Sequence, residues 1–249
     1  MRATPDIRIA RNVQQWAQDV ATYIHALSEQ AIRSHGRFLI ALSGGSTPKT
    51  LFQTLATPEW KGRFKWDKIL FLFGDERCVP PDHPDSNFGM ARATLFQPLK
   101  IHSDHIFRMK GEYESPRAAA QEYEDQLRTV TRCPAPNLPT IDLVLLGIGE
   151  DGHTASLFPG TTALEEQSSV VTVGHAPTGV PTRITLTLGV LNRAAVVLFL
   201  VTGAGKATMV RRVIQPETDA DRSLPAARVA PESGQLIWML DQAAGAQLK

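Results

Sequence analysis

The sequence is poor in the residues on which several classes of protein depend. It has only two cysteines in 249 residues, Cys78 and Cys133, and their positions show no metal-ligand spacing. Two cysteines are too few for a disulfide framework, so we expect reduced thiols in a cytoplasmic protein. Aromatic residues make up 7% of the chain, which argues against a surface that stacks nucleic-acid bases.

Long apolar runs and an excess of one charge are also missing. Without a run of about 18 apolar residues we expect no membrane span, and the N-terminus lacks the segments of a secretory signal. The 26 basic and 25 acidic residues are well mixed and give a formal net charge of +1. Since there is no basic stripe, we expect no nucleic-acid partner. The hydrophobic content of 43% is enough for a substantial core.

Short apolar runs alternate with helical patterns along the chain. The runs at 37–42, 68–73, 141–146, 183–187 and 195–201 predict strands. The stretches 13–33, 48–55, 87–95, 116–130 and 206–214 predict helices. This alternation is typical of a layered, Rossmann-like α/β fold with a mostly parallel central sheet flanked by helices. We expect one domain over residues 1–249, with a small helical subregion near residues 75–130.

A polar, glycine-rich segment follows the first predicted strand, at the sheet edge where α/β folds usually place their active sites. Ser43, Gly44, Gly45 and Ser46 lead there into a helix. Glycines let a phosphate approach the backbone, and the start of a helix offers free N–H groups. The segment also fits an ordinary capped turn, so this motif alone leaves phosphate binding open.

Three cations stand at other strand boundaries. Lys206 opens a helix, where a bound anion would offset its unfavourable interaction with the helix dipole. Arg77 has the paired donors that hold an oxyanion, and Arg183 is a second candidate ligand for phosphate. Each cation also has a structural alternative. Lys206 could be a solvated surface lysine, and Arg183 could be a charge on an edge strand. Arg77 could form an ion-pair cluster with Asp75 and Glu76.

Two interpretations are possible for residues 147–156, whose sequence is Gly-Ile-Gly-Glu-Asp-Gly-His-Thr-Ala-Ser. The glycines match the dinucleotide pattern Gly-x-Gly-x-x-Gly, but that site needs a long helix after the third glycine. Here Pro159 and Gly160 follow too soon for one. Histidine exchanges protons near neutral pH, and a nearby carboxylate can orient it. We therefore predict a catalytic turn that projects Asp151 and His153 into a cleft.

Taken in order, these segments resemble the 6-phosphogluconolactonases, within the glucosamine-6-phosphate isomerase-like superfamily. The resemblance rests on residues 41–48, 74–77, 79–80, 85–87, 147–159, 183–187, 202–203, Lys206 and 238–244. It implies hydrolysis of 6-phosphogluconolactone to 6-phosphogluconate in the oxidative pentose phosphate pathway. It also implies a small sugar-phosphate lactone as the binding partner, with neither a cofactor nor a metal. We expect a monomer or a small homo-oligomer.

The resemblance gives the candidate residues roles in a hypothetical mechanism. His153 would be the general base that activates water, Asp151 would support it, and Arg77 with nearby N–H groups would stabilise the oxyanion. The residues expected to bind the substrate and its phosphate are Ser43, Gly44, Gly45, Ser46, Asp75, Asn87, Arg183 and Lys206. The sequence leaves open how Arg77, Arg183 and Lys206 divide the phosphate and carbonyl contacts.

Two other functions fit parts of the sequence. Glucosamine-6-phosphate deaminases have a similar Gly-x-Asp-Gly-His loop, but theirs continues to a catalytic Glu, whereas residues 155–159 here contain no carboxylate. A non-catalytic sugar-phosphate sensor would keep the phosphate loops and lose the base, yet Asp151 and His153 are both present. Cys78, beside Arg77, is either a thiol of lowered pKa or, as we favour, a packing residue.

Overall fold

The computed structural model describes residues 5–249. Residues 1–4 lie outside the described part of the chain. They belong to the expected domain of residues 1–249 and to the N-terminus that we expect to lack a secretory signal. The strands are β1 (Asp6–Ala10), β2 (Phe38–Leu42), β3 (Ile69–Phe73), β4 (Asp75–Arg77), β5 (Leu143–Leu146), β6 (Val171–His175), β7 (Thr182–Leu186), β8 (Val196–Val201) and β9 (Gln235–Asp241). The helices are α1 (Val13–His35), α2 (Ser46–Leu55), α3 (Pro58–Lys61), α4 (Asn87–Ala91), α5 (Gln97–Leu99), α6 (Pro116–Thr131), α7 (Leu188–Arg193), α8 (Ala207–Ile214), α9 (Asp219–Arg222) and α10 (Pro225–Arg228). A π turn (Arg92–Phe96) joins α4 to α5, and short 3₁₀ turns lie at Trp66–Lys68, Ser103–His105, Thr162–Glu165 and Ala204–Lys206.

The central sheet has the strand order β1-β9-β8-β5-β2-β3, and every neighbouring pair is parallel. This is the mostly parallel sheet that the sequence predicts. Its inner strands are continuous apolar runs such as Leu143–Leu146, because helices cover both faces of a parallel sheet. Among residues 5–249, no helix is long and apolar enough to cross a membrane.

Alternate residues of β2, β3, β5, β8 and β9 face two different cores. Along β2, Phe38, Ile40 and Leu42 belong to the core that includes α1 and α2. Leu39 and Ala41 belong to the core on the opposite face, which includes α6 and α8. A strand has a side-chain period of two, so a single strand supplies both layers.

A second, smaller sheet is antiparallel and has the order β4-β7-β6. The sequence predicts the strand near 183–187, but β4 and β6 are additional, and residues 75–130 supply β4 as well as α4–α6. Gly74 is the only residue between β3 and β4. Its N–H donates to Leu42 O at 2.9 Å, and its carbonyl accepts from Leu186 N–H at 2.9 Å. The small sheet is thereby attached at the carboxyl end of the large one.

Candidate active site

A cleft of about 220 Å³ lies where β2, β3, β5 and β8 reach their carboxyl ends. The sequence-predicted site residues that line it are Ser43, Gly44, Gly45, Asp75, Arg77, Asn87, His153, Arg183 and Lys206. The rest of its lining consists of Gly147, Ile148, Gly149, Thr154 and Ala155. Of the other two candidates, Ser46 is the exposed first residue of α2, and Asp151 contacts His153 from outside the lining.

His153 and Asp151 form a hydrogen-bonded pair in the loop after β5. His153 Nδ1 lies 2.5 Å from Asp151 Oδ1, and the backbone N–H of His153 donates to the same oxygen at 3.1 Å. An ionised carboxylate only accepts, so Nδ1 carries a proton, and in the neutral imidazole Nε2 then keeps its lone pair. The ring packs against Phe158 with centroids 4.4 Å apart.

The turn around this pair depends on glycine. A Cβ at Gly149 would lie 2.0 Å from His153 Nδ1 and 2.6 Å from Asp151 Oδ1, so only glycine leaves room for the two side chains. Gly152 has φ +81°, which glycine adopts without steric cost. After Gly152 the chain passes through a tight turn to the 3₁₀ turn Thr162–Glu165, so the long helix of a dinucleotide site does not follow.

The carboxyl group of Asp151 is held in its charged form. Partial burial raises its pKa, but the hydrogen bonds from the backbone and ring of His153, together with the charge of that ring, outweigh burial and lower the pKa overall. An ionised Asp151 can both fix the tautomer of His153 and stabilise its protonated form.

Three cations line the cleft without a carboxylate partner. Across residues 5–249, no carboxylate lies within salt-bridge distance of Arg77, Arg183 or Lys206. Arg77 Nη1 instead donates to Asp85 O at 2.7 Å, and Arg183 Nε donates to Val180 O at 2.7 Å. Arg77 Nε is buried and has no hydrogen-bond partner within the described chain. These groups retain donors for a ligand.

The two arginines are neighbours across the small sheet. Arg77 of β4 lies directly opposite Arg183 of β7. Burial, and then the charge of Arg77, lower the pKa of Arg183. Like charges placed opposite each other on a sheet destabilise it, and an anion bound between them would remove that cost. The arrangement is suited to a phosphate or a carboxylate.

The loop after β2 adds backbone donors to this cationic surface. Gly45, with φ +100°, precedes α2, and no side chain caps the N-terminus of that helix. The N–H groups of its first turn therefore remain for an anion. The side chain of Asn87 covers Gly44, the residue before Gly45, since a Cβ at Gly44 would lie 1.8 Å from Asn87 Oδ1.

Asp75 and Asn87 join the loops in addition to lining the cleft. Asn87 Nδ2 donates to Asp75 Oδ1 at 3.2 Å and to Asp75 O at 2.9 Å. Ser156 Oγ donates to Asp75 Oδ2 at 2.6 Å, and Asp75 is 6% exposed. Both carboxylate oxygens of Asp75 are thus engaged within the protein, and the role of Ser156 is not among those predicted from the sequence.

The interpretation of Asp75, Glu76 and Arg77 as an ion-pair cluster is wrong for Glu76. Its carboxylate accepts backbone N–H groups of Asn87 at 2.7 Å and Phe88 at 2.8 Å, so it caps the start of α4. Burial raises the pKa of Glu76, and these hydrogen bonds oppose the increase. Within β4 the strand period of two places Glu76 on the opposite face from Asp75 and Arg77, but β4 is not among the predicted strands, so this period could not be applied.

Cys78 is not an activated thiol. Burial, and then the charge of Glu76, raise the pKa of Cys78 to about 11, although Arg183 opposes the increase. The side chain is partly buried against the core that includes α6 and α8. The hypothesis of a lowered pKa is therefore wrong, and the alternative of a packing residue fits its surroundings.

Comparisons with known proteins agree on one family. The profile of glucosamine-6-phosphate isomerases/6-phosphogluconolactonase matches residues 11–238. A 6-phosphogluconolactonase of Nostoc sp. is 43% identical over 220 residues, which cover 88% of each chain. One of Synechocystis sp. is 40% identical over 245 residues, covering 98% of this chain and 99% of the relative. The solved 6-phosphogluconolactonase of Trypanosoma cruzi has a TM-score of 0.85 at 28% identity and covers 100% of this chain and 98% of that one. The chain belongs to the glucosamine-6-phosphate isomerase/6-phosphogluconolactonase family.

Proposed function

We propose that the protein hydrolyses 6-phospho-D-glucono-1,5-lactone to 6-phospho-D-gluconate, the lactonase step of the oxidative pentose phosphate pathway. One observation carries the proposal: His153 lines the same cleft as Arg77, Arg183 and Lys206. The reaction requires both kinds of group, a base for the attacking water and cations for the phosphate and the oxyanion. Relatives of this name that span nearly the whole chain support the choice of substrate.

The His153–Asp151 pair supplies the proton transfers of the proposed mechanism. His153 Nε2 accepts a proton from water while the water oxygen attacks the lactone carbonyl carbon. Asp151, hydrogen-bonded to Nδ1 at 2.5 Å, stabilises the imidazolium that forms. When the bond between the carbonyl carbon and the ring oxygen breaks, the imidazolium returns the proton to that oxygen. Water is the only co-reactant, and the reaction needs no cofactor or metal.

The cationic groups divide into two sets in this mechanism. Arg77, whose buried Nε has no hydrogen-bond partner among the described residues, stabilises the oxyanion together with nearby backbone N–H groups. The phosphate is held by Ser43, Gly44, Gly45 and Ser46 at the start of α2, with Arg183 and Lys206. Because the phosphate is remote from the reacting carbon, its binding positions the carbonyl beside His153.

Steady-state hydrolysis of the lactone, corrected for its spontaneous hydrolysis, tests the assignment. His153→Ala should lower kcat by about 100-fold or more, whereas Lys206→Ala should mainly raise KM, since it removes binding to the unreactive phosphate. His102→Ala is the matched control, because His102 is exposed and lies outside the cleft lining. Wild-type turnover by a folded His153→Ala protein would overturn the proposal.

Two assays separate the proposal from its rivals. Ammonia release from glucosamine 6-phosphate would indicate a deaminase, which we do not expect because residues 155–159 contain no carboxylate. Tight binding of 6-phosphogluconate without hydrolysis of the lactone would indicate a sensor.

A further inference from the structure

Ser156 connects the loop of His153 to the small sheet. The residue is 0% exposed. Its Oγ donates to Asp75 Oδ2 at 2.6 Å, and its backbone N–H donates to Thr185 Oγ1 at 3.2 Å. Asp75 and Thr185 lie directly opposite each other on β4 and β7. Ser156 therefore attaches a loop of the central sheet to one cross-strand pair of the small sheet.

The residue before Ser156 has an unfavourable backbone conformation. Ala155 has φ +47° and lines the cleft. Leu157 N–H donates to Thr154 O at 3.0 Å, so residues 154–157 form a tight turn with Ala155 at its first central position. A turn in which only the first central residue has a positive φ is typically of type II′, and glycine is the usual residue at that position. An alanine keeps this conformation only when its surroundings impose it.

The contacts of Ser156 are the ones that impose it. Its side chain and its N–H are fixed by the two hydrogen bonds to the small sheet. Its carbonyl oxygen is enclosed by β6, where a Cβ at Gly174 would lie 2.5 Å from that oxygen. With Ser156 held on three sides, the preceding peptide has little freedom to turn back into a relaxed conformation.

This attachment also links the loop of His153 to the strands that carry the two arginines. Asp75 and Arg77 are two positions apart on β4, so they share a face of the strand. The pair that Ser156 binds, Asp75 with Thr185, is therefore two residues along the strand from the pair Arg77 with Arg183. His153 is three residues before Ser156 and directly precedes the turn of residues 154–157.

We propose that Ser156 is a positioning residue: it holds the 154–157 turn on the Asp75–Thr185 pair and so sets the place of His153 relative to Arg77 and Arg183. The expected effect of this role on kcat rests on the proposed lactonase function. The expected structural effect, that the positive φ of Ala155 depends on Ser156, does not rest on that function. Ser156 is fully buried and acts through His153.

The kinetic test uses Ser156→Ala. We expect kcat to fall by about 10- to 100-fold, because a small displacement of a catalytic group has effects of this size. KM should change little, because the loop at residues 43–46 and Lys206 are not altered. Ser28→Ala is the matched control: Ser28 is also 0% exposed and donates to a backbone oxygen, His25 O, at 2.8 Å, but it lies on α1. It should keep the wild-type kcat.

A second substitution distinguishes positioning from general destabilisation. In the Ser156→Ala background, Ala155→Gly should restore part of the lost kcat, by about 3- to 10-fold, because glycine adopts a positive φ without being forced. Because glycine at this position should also relieve strain, kcat is compared under conditions in which circular dichroism shows both variants to be fully folded, where a difference in stability alone does not change kcat. Should Ser156→Ala fail to fold, Thr185→Val removes the acceptor of the Ser156 N–H and is expected to lower kcat in the same way.

Crystal structures of the wild type and of Ser156→Ala complete the test. If the wild type hydrolyses the lactone and Ser156→Ala keeps the wild-type kcat, the inference is overturned while the proposed function stands. If the wild type does not hydrolyse the lactone, the proposed function fails, and the two crystal structures then test the inference about Ser156 on their own. A relaxed Ala155 with a displaced His153 in the variant supports the inference, and an unchanged turn overturns it.

Discussion

At the scale of single residues, the site depends on a carboxylate that fixes one nitrogen of an imidazole. Asp151 accepts from both the backbone N–H and Nδ1 of His153. Hydrogen bonds and charge from His153 keep the pKa of Asp151 low against the opposing effect of partial burial. The charge of Asp151 should therefore contribute to turnover separately from the geometry of the pair.

Asp151→Asn keeps the shape of the side chain and removes its charge. We expect kcat for the lactone to fall on the order of 10- to 100-fold with KM nearly unchanged, because the imidazolium loses its counter-charge in the transition state. Glu150→Gln is the control, since Glu150 is the exposed neighbour of Asp151 and lies outside the cleft lining. Steady-state kinetics check both variants, and equal kcat values for the two would contradict the role of Asp151.

Part of the site is local in sequence, and that part could be predicted. Asp151 and His153 are two positions apart in one glycine-rich turn, and the segment 43–46 directly follows a recognisable strand. The roles of Ser156 and Glu76 could not be predicted in this way. Ser156 bonds to Asp75 across 81 positions, so its function depends on how two sheets pack and not on a local pattern.

At the scale of elements, β2, β3, β5 and β8 of the large sheet are predictable because they are apolar runs bounded by polar turns, whereas β1 and β9 are not among the predicted strands. In the small sheet only β7 is predicted; β4 is missed because it is only three residues long and consists of Asp75, Glu76 and Arg77. Charged residues have low strand propensity, and here tertiary contacts outweigh that preference. The pairing with β7 and the joint at Gly74 fix the strand.

Tyr123 of α6 completes the hydrogen bonding of β3, the outer strand of the large sheet. Phe73 N–H donates to Tyr123 Oη at 2.7 Å, and that hydroxyl donates to Phe73 O at 3.0 Å. Tyr123→Phe leaves both backbone groups unpaired in a buried place and should lower the free energy of unfolding by about 1–3 kcal/mol. Urea unfolding measures the loss. Tyr23→Phe removes a hydroxyl with an exposed partner and should cost less than about 0.5 kcal/mol; equal losses would contradict the prediction.

Asp221 joins α8 to α9, and its contribution to stability depends on pH. The hydrogen bond from Arg212 Nε, 2.6 Å long, is the main cause that lowers the pKa of Asp221 from 3.8 to about 2. A carboxyl whose folded-state pKa is depressed stabilises the fold above its unfolded-state pKa, and this contribution is lost as pH falls through the folded-state value. Asp221→Asn should therefore lower the urea midpoint at neutral pH.

The difference between wild type and Asp221→Asn should shrink as pH falls from 3.8 towards 2, where Asp221 becomes protonated in the folded protein. Urea unfolding at a series of pH values measures it. Asp219→Asn is the control, because Asp219 is fully exposed in its pair with Arg222 and should show a small difference at every pH. A gap between wild type and Asp221→Asn that stayed constant down to pH 2 would contradict the linkage.

At the scale of the whole molecule, the net charge does not reveal the local group of cations that matters for function. The formal net charge is only +1, yet three cations without salt-bridge partners in residues 5–249 line one cleft. Elsewhere cations and anions are interspersed, and several form ion pairs such as Arg108 with Glu112 and Arg128 with Glu124. Composition therefore predicts no polyanionic partner, and it gives no sign of a local anion site, which depends on where chain segments meet.

The two cores share their strands, and from this we propose that the chain unfolds as one domain. Phe38 and Ile40 of β2 pack in one core and Leu39 in the other, so neither core can be lost without breaking the same strand. Trp16 reports on the first core and Trp238 on the second. In variants in which Trp16 or Trp238 is the only one of the four tryptophans retained, urea unfolding followed by fluorescence should coincide with unfolding followed by far-UV circular dichroism. Comparing the two probes within each variant removes any effect of the substitutions on stability. A fluorescence transition that precedes the loss of secondary structure in either variant would show that its core unfolds separately, contrary to the shared strands.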